Sequence, residues 1–480
     1  MLAADLAVDL GVVLAVCGLG ALAVRAVLPR ASGLELLALG FPVGGGLLTL
    51  AGFLASWAGV QLNLATVAVI WLLLCLAALS MKRLTGGAGE VGVSDENRPG
   101  SPRRGLWSPQ ELPVRLALVA FLLLVAALAA TAIGRSHSNY DAAAMWIIKG
   151  YGIAKEGSIF GALQWGAHGL AYPLNIQLMV MLFRLTSADR VPSSQLIFLL
   201  FYCSTVLMVL AYWQRRQVAT LHRALGLLLI ASVPIMVLHS TVAFPNLPMA
   251  FYVVSASVYG MEGLFLRSPR PLLLGGILLG MASWTTIEGF QYAAITLIVL
   301  MLSAAWDVRL QLRDCLCLSV PFLLITGVWL VFYQRYGASG SQAIGTLNTM
   351  LTGLRAGDYN LVELRLIFGY LRRYLFDTGT WGLLFSVGGV VLVMGAVRLR
   401  DELVPEAFTT VLLFLGTGAL TCALFYLRSF VTSDFWAWLL RGFPRGFLPS
   451  AIFFAMTVIR IAPTVAVPLH PGTRQPREVT

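Results

Sequence analysis

The stretch LAYPLNIQLMVMLFRL, Leu170–Leu185, decides the topology of the whole chain. Its apolar run of about 14 residues is short for a crossing, since a helix needs roughly 20 residues to span about 30 Å of hydrocarbon. If it crosses, every loop after it changes side. If it lies at the membrane surface as an interfacial or re-entrant helix, the later loops keep the opposite assignment.

Basic residues settle the choice, because cytoplasmic loops collect Lys and Arg. Six clusters follow apolar runs: Lys82-Arg83 with Arg98, Arg103 and Arg104; Arg215-Arg216 with Arg223; Arg267 with Arg270; Arg309 with Arg313; Arg398 with Arg400; and Arg460 with Arg474 and Arg477. With Leu170–Leu185 crossing, Arg215-Arg216 and all later clusters face outward. With it non-crossing, all six lie inside together with Arg25 and Arg30. The second arrangement is the consistent one, and a non-crossing helix at 170–185 is the expectation.

The rest of the chain reads as a polytopic α-helical membrane protein. Of its 480 residues 58% are hydrophobic and 11% charged, where a soluble domain carries about 25% charged. Apolar runs fall at about 7–28, 34–56, 62–81, 113–133, 193–213, 223–242, 245–266, 271–285, 288–306, 315–333, 381–398, 405–427 and 447–462. They are too long and too uniformly apolar for the alternating strands of a β-barrel. The expected fold is therefore all-α with about 13 transmembrane helices. The net charge of +11 is dispersed in short clusters between runs, which reports orientation and not a nucleic-acid partner. Six cysteines lie inside apolar runs with no disulfide or zinc spacing. The acidic residues before the first run and basic ones after it reverse the pattern of a secretory signal, so that run is expected to stay as a span, with the N-terminus outside and the C-terminus cytoplasmic. The expected setting is a plasma (inner) membrane.

This topology divides the chain into an N-terminal three-helix segment (1–81), a Gly/Ser/Pro-rich cytoplasmic loop expected to be disordered (82–112), a core (113–333) with an external loop at 134–192, an external amphipathic loop (334–380), and C-terminal spans with a short tail (381–480). The external loops are expected to carry interfacial helices. No nucleotide-binding or protease motif occurs, so the few polar residues near the outer ends of spans carry whatever chemistry there is.

Asp141 follows the fourth span by about eight residues and opens a helical pattern, DAAAMWIIKGYGIAKEG. An acid there caps a helix as readily as it does chemistry. Lys149 lies roughly 80° further round a uniform α-helix, close enough to share a pocket with Asp141, or else snorkels to headgroups. Glu288 sits in apolar surroundings between two short runs, where a carboxylate is costly unless it faces protein or water; it is a functional candidate or a turn residue. Arg441 and Arg445, in DFWAWLLRGFPRGFLP, place cations among aromatics beside the last span, a composition suited to an interfacial phosphate and equally to headgroup contacts. Arg372 and Arg373 stand further back. His137 and His168 flank the first external loop without ligand spacing. Tyr140, Trp146, Trp165 and Tyr172 are candidates for stacking on a ring of the substrate, or for an aromatic belt.

The segment NYDAAAMWIIKGYGIAKEG followed by YPLNIQLMVMLFRL resembles the first external loop of the GT-C superfamily of membrane glycosyltransferases, in particular the bacterial relatives of protein O-mannosyltransferases and lipid A aminoarabinose transferase. Asp141, Ala142, Trp146, Lys149, Tyr172, Pro173 and Leu174 match the pattern, and Tyr140 replaces a tryptophan. STVAFPNLPMAFYVVSA resembles the second external loop, with Asn246 in place of an acid. GILLGMASWTTIEGFQ resembles a segment ending in Glu-Gly, matched by Glu288 and Gly289, with Thr286 in place of a lysine. The resemblance covers roughly residues 110–300. It implies a GT-C-like fold and transfer of a sugar from a polyprenyl-phosphate donor to an unknown lipid, glycan or protein acceptor on the non-cytoplasmic face. It also implies Asp141 as catalytic carboxylate; such a transfer further needs positive charge for the departing phosphate, which makes Glu288 the supporting acid and Lys149, Tyr172, Asn246, Arg441 and Arg445 the candidate substrate- or phosphate-binding residues. Asn246 weakens the case for the divalent metal that the missing acid helps to hold in relatives, and no residue is assigned as a metal ligand. The alternatives are a transporter or flippase of a lipid-linked substrate, a lipid-linked polysaccharide ligase, and a non-catalytic relative.

Overall fold

The structure is a computed structural model describing residues 2–87, 111–134, 142–165, 172–186, 193–307, 311–336, 352, 361–398, 405–429 and 435–466. The described residues contain helices and no strands. In chain order the principal helices are α1 (Leu2–Val27), α2 (Gly33–Trp57), α3 (Leu64–Gly87), α4 (Leu112–Gly134), α5 (Ile148–Glu156), α6 (Asn175–Thr186), α7 (Leu196–Arg215), α8 (Thr220–Ala231), α9 (Pro234–Thr241), α10 (Asn246–Phe265), α11 (Pro269–Thr285), α12 (Ile287–Asp307), α13 (Leu312–Tyr336), α14 (Leu361–Leu375), α15 (Leu384–Arg398), α16 (Pro405–Ser429), α17 (Phe435–Gly446) and α18 (Leu448–Ala466).

Among the described residues, eight helices are long and apolar enough to cross a membrane: α1, α2, α3, α4, α7, α12, α13 and α16. The pair α8 and α9, bent by 56° at the break before Pro234, makes a ninth. This is a multi-span membrane protein. The remaining expected runs are also helical, as α10, α11, α15 and α18, but each is too short or too polar to qualify on length and hydropathy.

Polarity in α10 and α11 follows from where they sit. Residues Leu247–Met261 of α10 are buried without a break, as are Leu278–Thr285 of α11. A helix covered on all sides by protein has no lipid-facing stripe to keep apolar. Helices α1, α3 and α4, by contrast, present Leu14, Leu72, Leu73, Leu122 and Leu123 outward, as lipid-facing helices must. α1 and α2 cross where side chains are absent. A Cβ on Gly44 would come within 2.0 Å of the Val16 carbonyl oxygen, and Gly40 and Gly44 form the small-xxx-small spacing that allows such an approach.

The stretch at 170–185 does not lie on the outside of the bundle. α6 is 12 residues long, about 18 Å, and its residues Asn175–Phe183 are all buried. It is among the shorter apolar helices, below the length of a full crossing, and protein surrounds it. The reason is polar: Asn175 and Gln177 need partners that lipid cannot give. Asn175 accepts from Thr49 of α2 at 2.6 Å and donates to Thr285 of α11 at 3.0 Å, and Trp284 donates to Thr49 at 3.2 Å. At its other end Thr186 reaches Asp9 of α1 at 3.5 Å.

The basic residues at the ends of α7, α8 and α18 gather with acids at one end of the bundle. Arg215 pairs with Glu35 at 3.0 Å and with Glu262. Arg216 pairs with Glu406 at 2.6 Å, and Arg223 with Glu111 at 2.7 Å. Arg460 donates to the Arg216 carbonyl at 3.1 Å. Thr85–Gln110 lies almost wholly outside the described residues, as do most of the 337–360 segment and the tail after Ala466.

Candidate functional site

Sequence candidates from four separate segments converge at the opposite end of the bundle. The first is the segment after α4. Asp141, Tyr140 and His137 lie outside the described residues, as does His168. Description resumes at Ala142, buried, followed by a π-helical turn, Ala143–Ile147, that runs into α5. Such turns concentrate at functional sites. The roughly 80° separation expected between Asp141 and Lys149 falls partly outside the described residues, and the described part, Ala143–Ile147, is not uniform α-helix. The turn also buries Trp146, whose ring meets Tyr172 edge-on at 5.4 Å.

Lys149 is 1% exposed, so it does not snorkel. Burial lowers its ammonium pKa from 10.5 to about 8: removal from water disfavours the charged form. Close packing holds it there. A Cβ on Gly150 would meet Val180 of α6 at 2.6 Å. Gln177 of α6 donates to the Met145 carbonyl at 3.4 Å, and its Oε1 is buried with no partner among the described residues. Trp165 packs against α5 and under Lys155, whose Nζ is 4.5 Å from the ring.

Tyr172 connects this segment to the second. Three residues on, Asn175 bonds Thr285, which stands three residues before Glu288. α11 and α12 form a hairpin with only Thr286 between them, and the Thr286 hydroxyl accepts from Gly289 N–H at 2.8 Å, capping α12. Glu288 is half-buried in that first turn, a position that suits a carboxylate at the positive end of the helix. Gly289 has a plain physical reason: a Cβ there would lie 1.9 Å from the Ala282 carbonyl oxygen.

One turn after Glu288, Tyr292 reaches the third segment. Its hydroxyl donates to the Gly446 carbonyl at 2.7 Å and shares a 2.6 Å bond with Thr421. This fixes the end of α17, whose Phe435, Leu439 and Phe443 are buried at helical spacing. Arg445 then stands with its guanidinium carbon 3.9 Å from the ring centre of Phe244. Phe244 belongs to the fourth segment, two residues before Asn246, which is half-buried at the start of α10. The side chain of Arg441 lies outside the described residues, and Arg372 and Arg373 are exposed residues of α14.

Beside Gly446 an apolar cleft of about 450 Å³ opens between α14 and α16. Leu364, Phe368, Leu371 and Leu375 line one wall at helical spacing, and Cys422 and Phe447 stand at the Gly446 end. The amphipathic helix expected in the 334–380 loop is this α14. Among the described residues no three metal-ligating side chains cluster.

Two residues escaped the sequence reading. His239, in the last turn of α9, is 1% exposed and packs on Phe244 with ring centres 5.3 Å apart. Gln177 is the other. Neither carries a local signal; only the pairing of distant segments gives them a role. Comparison with family models, curated proteins and solved structures yields no match for this chain.

Proposed function

We propose that the protein is an integral-membrane glycosyltransferase that moves a sugar from a polyprenyl-phosphate donor to an acceptor hydroxyl at the non-cytoplasmic face. In this reading the architecture is GT-C-like, all thirteen apolar helical segments cross, with α8 and α9 as one broken span, and the basic clusters stay inside. The observation that carries it is the convergence of Trp146–Tyr172, Glu288 and Arg445 at one end of the bundle, beside an apolar cleft. Glycosyl transfer needs a carboxylate to take a proton, cations for a departing phosphate and room for a lipid tail. Asp141 takes the proton of the acceptor hydroxyl as its oxygen attacks the anomeric carbon. The bond from that carbon to the phosphate oxygen breaks with inversion, and polyprenyl phosphate leaves with the bonding pair. Lys149 and Arg445 balance its added charge, Glu288 and Asn246 orient the substrates, and the cleft beside Gly446 takes the first isoprene units.

The test is release of free polyprenyl phosphate by reconstituted protein supplied with polyprenyl-phosphate sugars and a membrane extract as acceptor source. Wild type should release it, and a folded Asp141→Asn variant should lose at least about a hundredfold, the usual contribution of a general base. Equal release from both would remove Asp141 from catalysis. One observation favours a second reading: the 56° break between α8 and α9 is the kind of interruption that transporters place at binding sites. Flux of a lipid-linked sugar without release of the carrier would establish that reading instead.

A further inference from the structure

We infer that His239, Arg445 and the start of α10 form a single binding site for a phosphate monoester, with His239 as a direct ligand through Nδ1. The inference rests on the transferase reading only for the identity of the phosphate as a lipid headgroup. The site itself rests on four observations. His239 is buried, yet its Nδ1 has no hydrogen-bond partner among the described residues, a condition that in a native structure points to a missing partner. Its ring packs on Phe244 at 5.3 Å while the Arg445 guanidinium covers that same ring at 3.9 Å, so imidazole and guanidinium share one aromatic neighbour. They are close enough for the charge of Arg445 to act on the imidazole. α10, twenty residues long, begins immediately after Phe244 and Pro245, and no side chain caps its first turn.

These features ask for the same ligand. An uncapped helix N-terminus offers backbone N–H groups and positive potential. A guanidinium has five donors and keeps capacity for an anion beyond a single partner. A neutral imidazole has one N–H to give. With that proton on Nδ1, all three groups are donors and a tetrahedral oxyanion satisfies them together. A neutral ligand would forgo the charge of the arginine, and a cation would meet it with repulsion. Pro248 contributes no N–H, so the donors of the first turn are those of Asn246 and Leu247. This gives Asn246, which stands where the resemblance has an acid, a physical sense: a carboxylate at the mouth of an anion site would repel its ligand.

The experiment measures binding of dodecyl phosphate to the detergent-purified full chain by tryptophan fluorescence, with inorganic phosphate and dodecanol as competitors. Dodecyl phosphate should bind and dodecanol should not displace it. Displacement by inorganic phosphate at equal concentration would make the ligand free phosphate; failure to displace would make it the lipid headgroup. Both His239→Leu and Arg445→Gln should weaken binding about tenfold or more, the loss expected for a hydrogen bond to a charged group. His239→Asn, whose amide nitrogen stands near the Nδ1 position, should keep binding within about threefold, while His239→Gln should not. That contrast also covers the case in which His239→Leu fails to fold. Wild-type affinity in both His239→Leu and His239→Gln would overturn the inference, as would equal loss in His239→Asn and His239→Gln. Dodecyl phosphate carries no sugar, so binding with no transferase activity would sink the transferase and leave the site standing.

Discussion

Replacing Lys149 by methionine should make the protein more stable at neutral pH, although it removes a charged residue that matches the glycosyltransferase pattern. Burial moves the ammonium pKa from 10.5 to about 8, and each unit is worth 1.36 kcal/mol, so the charged side chain costs the folded state about 3 kcal/mol. Its sign with pH is fixed. Below pH 8 both folded and unfolded chains carry the proton and the full cost is present. Between pH 8 and 10.5 the unfolded chain still holds a proton that the folded chain has released, so stability climbs with pH; above 10.5 the cost is gone. Thermal melting of detergent-purified wild type and Lys149→Met at half-unit steps from pH 6.5 to 10.5 reads this directly. The variant should melt several degrees higher at pH 7, and the gap should close as pH rises past 8. Taking the difference between the two proteins cancels every other titrating group. The same titration bears on function. If the ammonium balances a departing phosphate, wild-type turnover should fall above pH 8, while Lys149→Arg, which keeps its charge, should hold its own level to pH 9. A variant that melts below wild type at pH 7, by a margin that does not change with pH, would refute the reasoning and show that a bonded partner outweighs the loss of hydration.

Two further outcomes follow from the bundle. Arg223→Met should destabilise by about 3–5 kcal/mol, because the Glu111 carboxylate it leaves behind is buried, and the double variant Arg223→Met, Glu111→Leu should recover most of that loss in the same melting assay. Gly289→Ala should abolish carrier release and lower the melting temperature, since its Cβ would stand 1.9 Å from the Ala282 carbonyl and must push α12 off α11, carrying Glu288 and Tyr292 with it; wild-type melting and release would show that the hairpin does not hold the site.

The helices were legible because each lipid-facing residue has to be apolar whatever its neighbours are. Thus Leu122 and Leu123 of α4 announce themselves, and the basic clusters predict correctly that Arg215, Arg216, Arg223 and Arg460 share one end. Depth was not legible. Snorkelling and burial use the same lysine in the same helix, and only the packing of Gly150 on α6 separates them for Lys149. The π-helical turn ahead of it has no compositional mark. Arg445 was visible as a cation among aromatics, but its Phe244 partner stands some two hundred residues earlier, and a pairing of that separation leaves no trace in a pattern of spacing. His239 was invisible for the same reason.

The burial of α10 bears on how the chain is made. A segment entering a bilayer one helix at a time partitions according to its own hydrophobicity, and α10 carries enough serine, tyrosine and asparagine that it fails the length-and-hydropathy test passed by its neighbours on the outside. If it crosses, as the proposed topology has it, it has to wait at the insertion machinery until α11 and α12 emerge, or be held by α7 and α2 already in place. The helix that carries one edge of the proposed site is thus the one least able to enter a membrane unaided, and placed alone between polar flanks in a reporter chain it should fail to insert where α12 inserts.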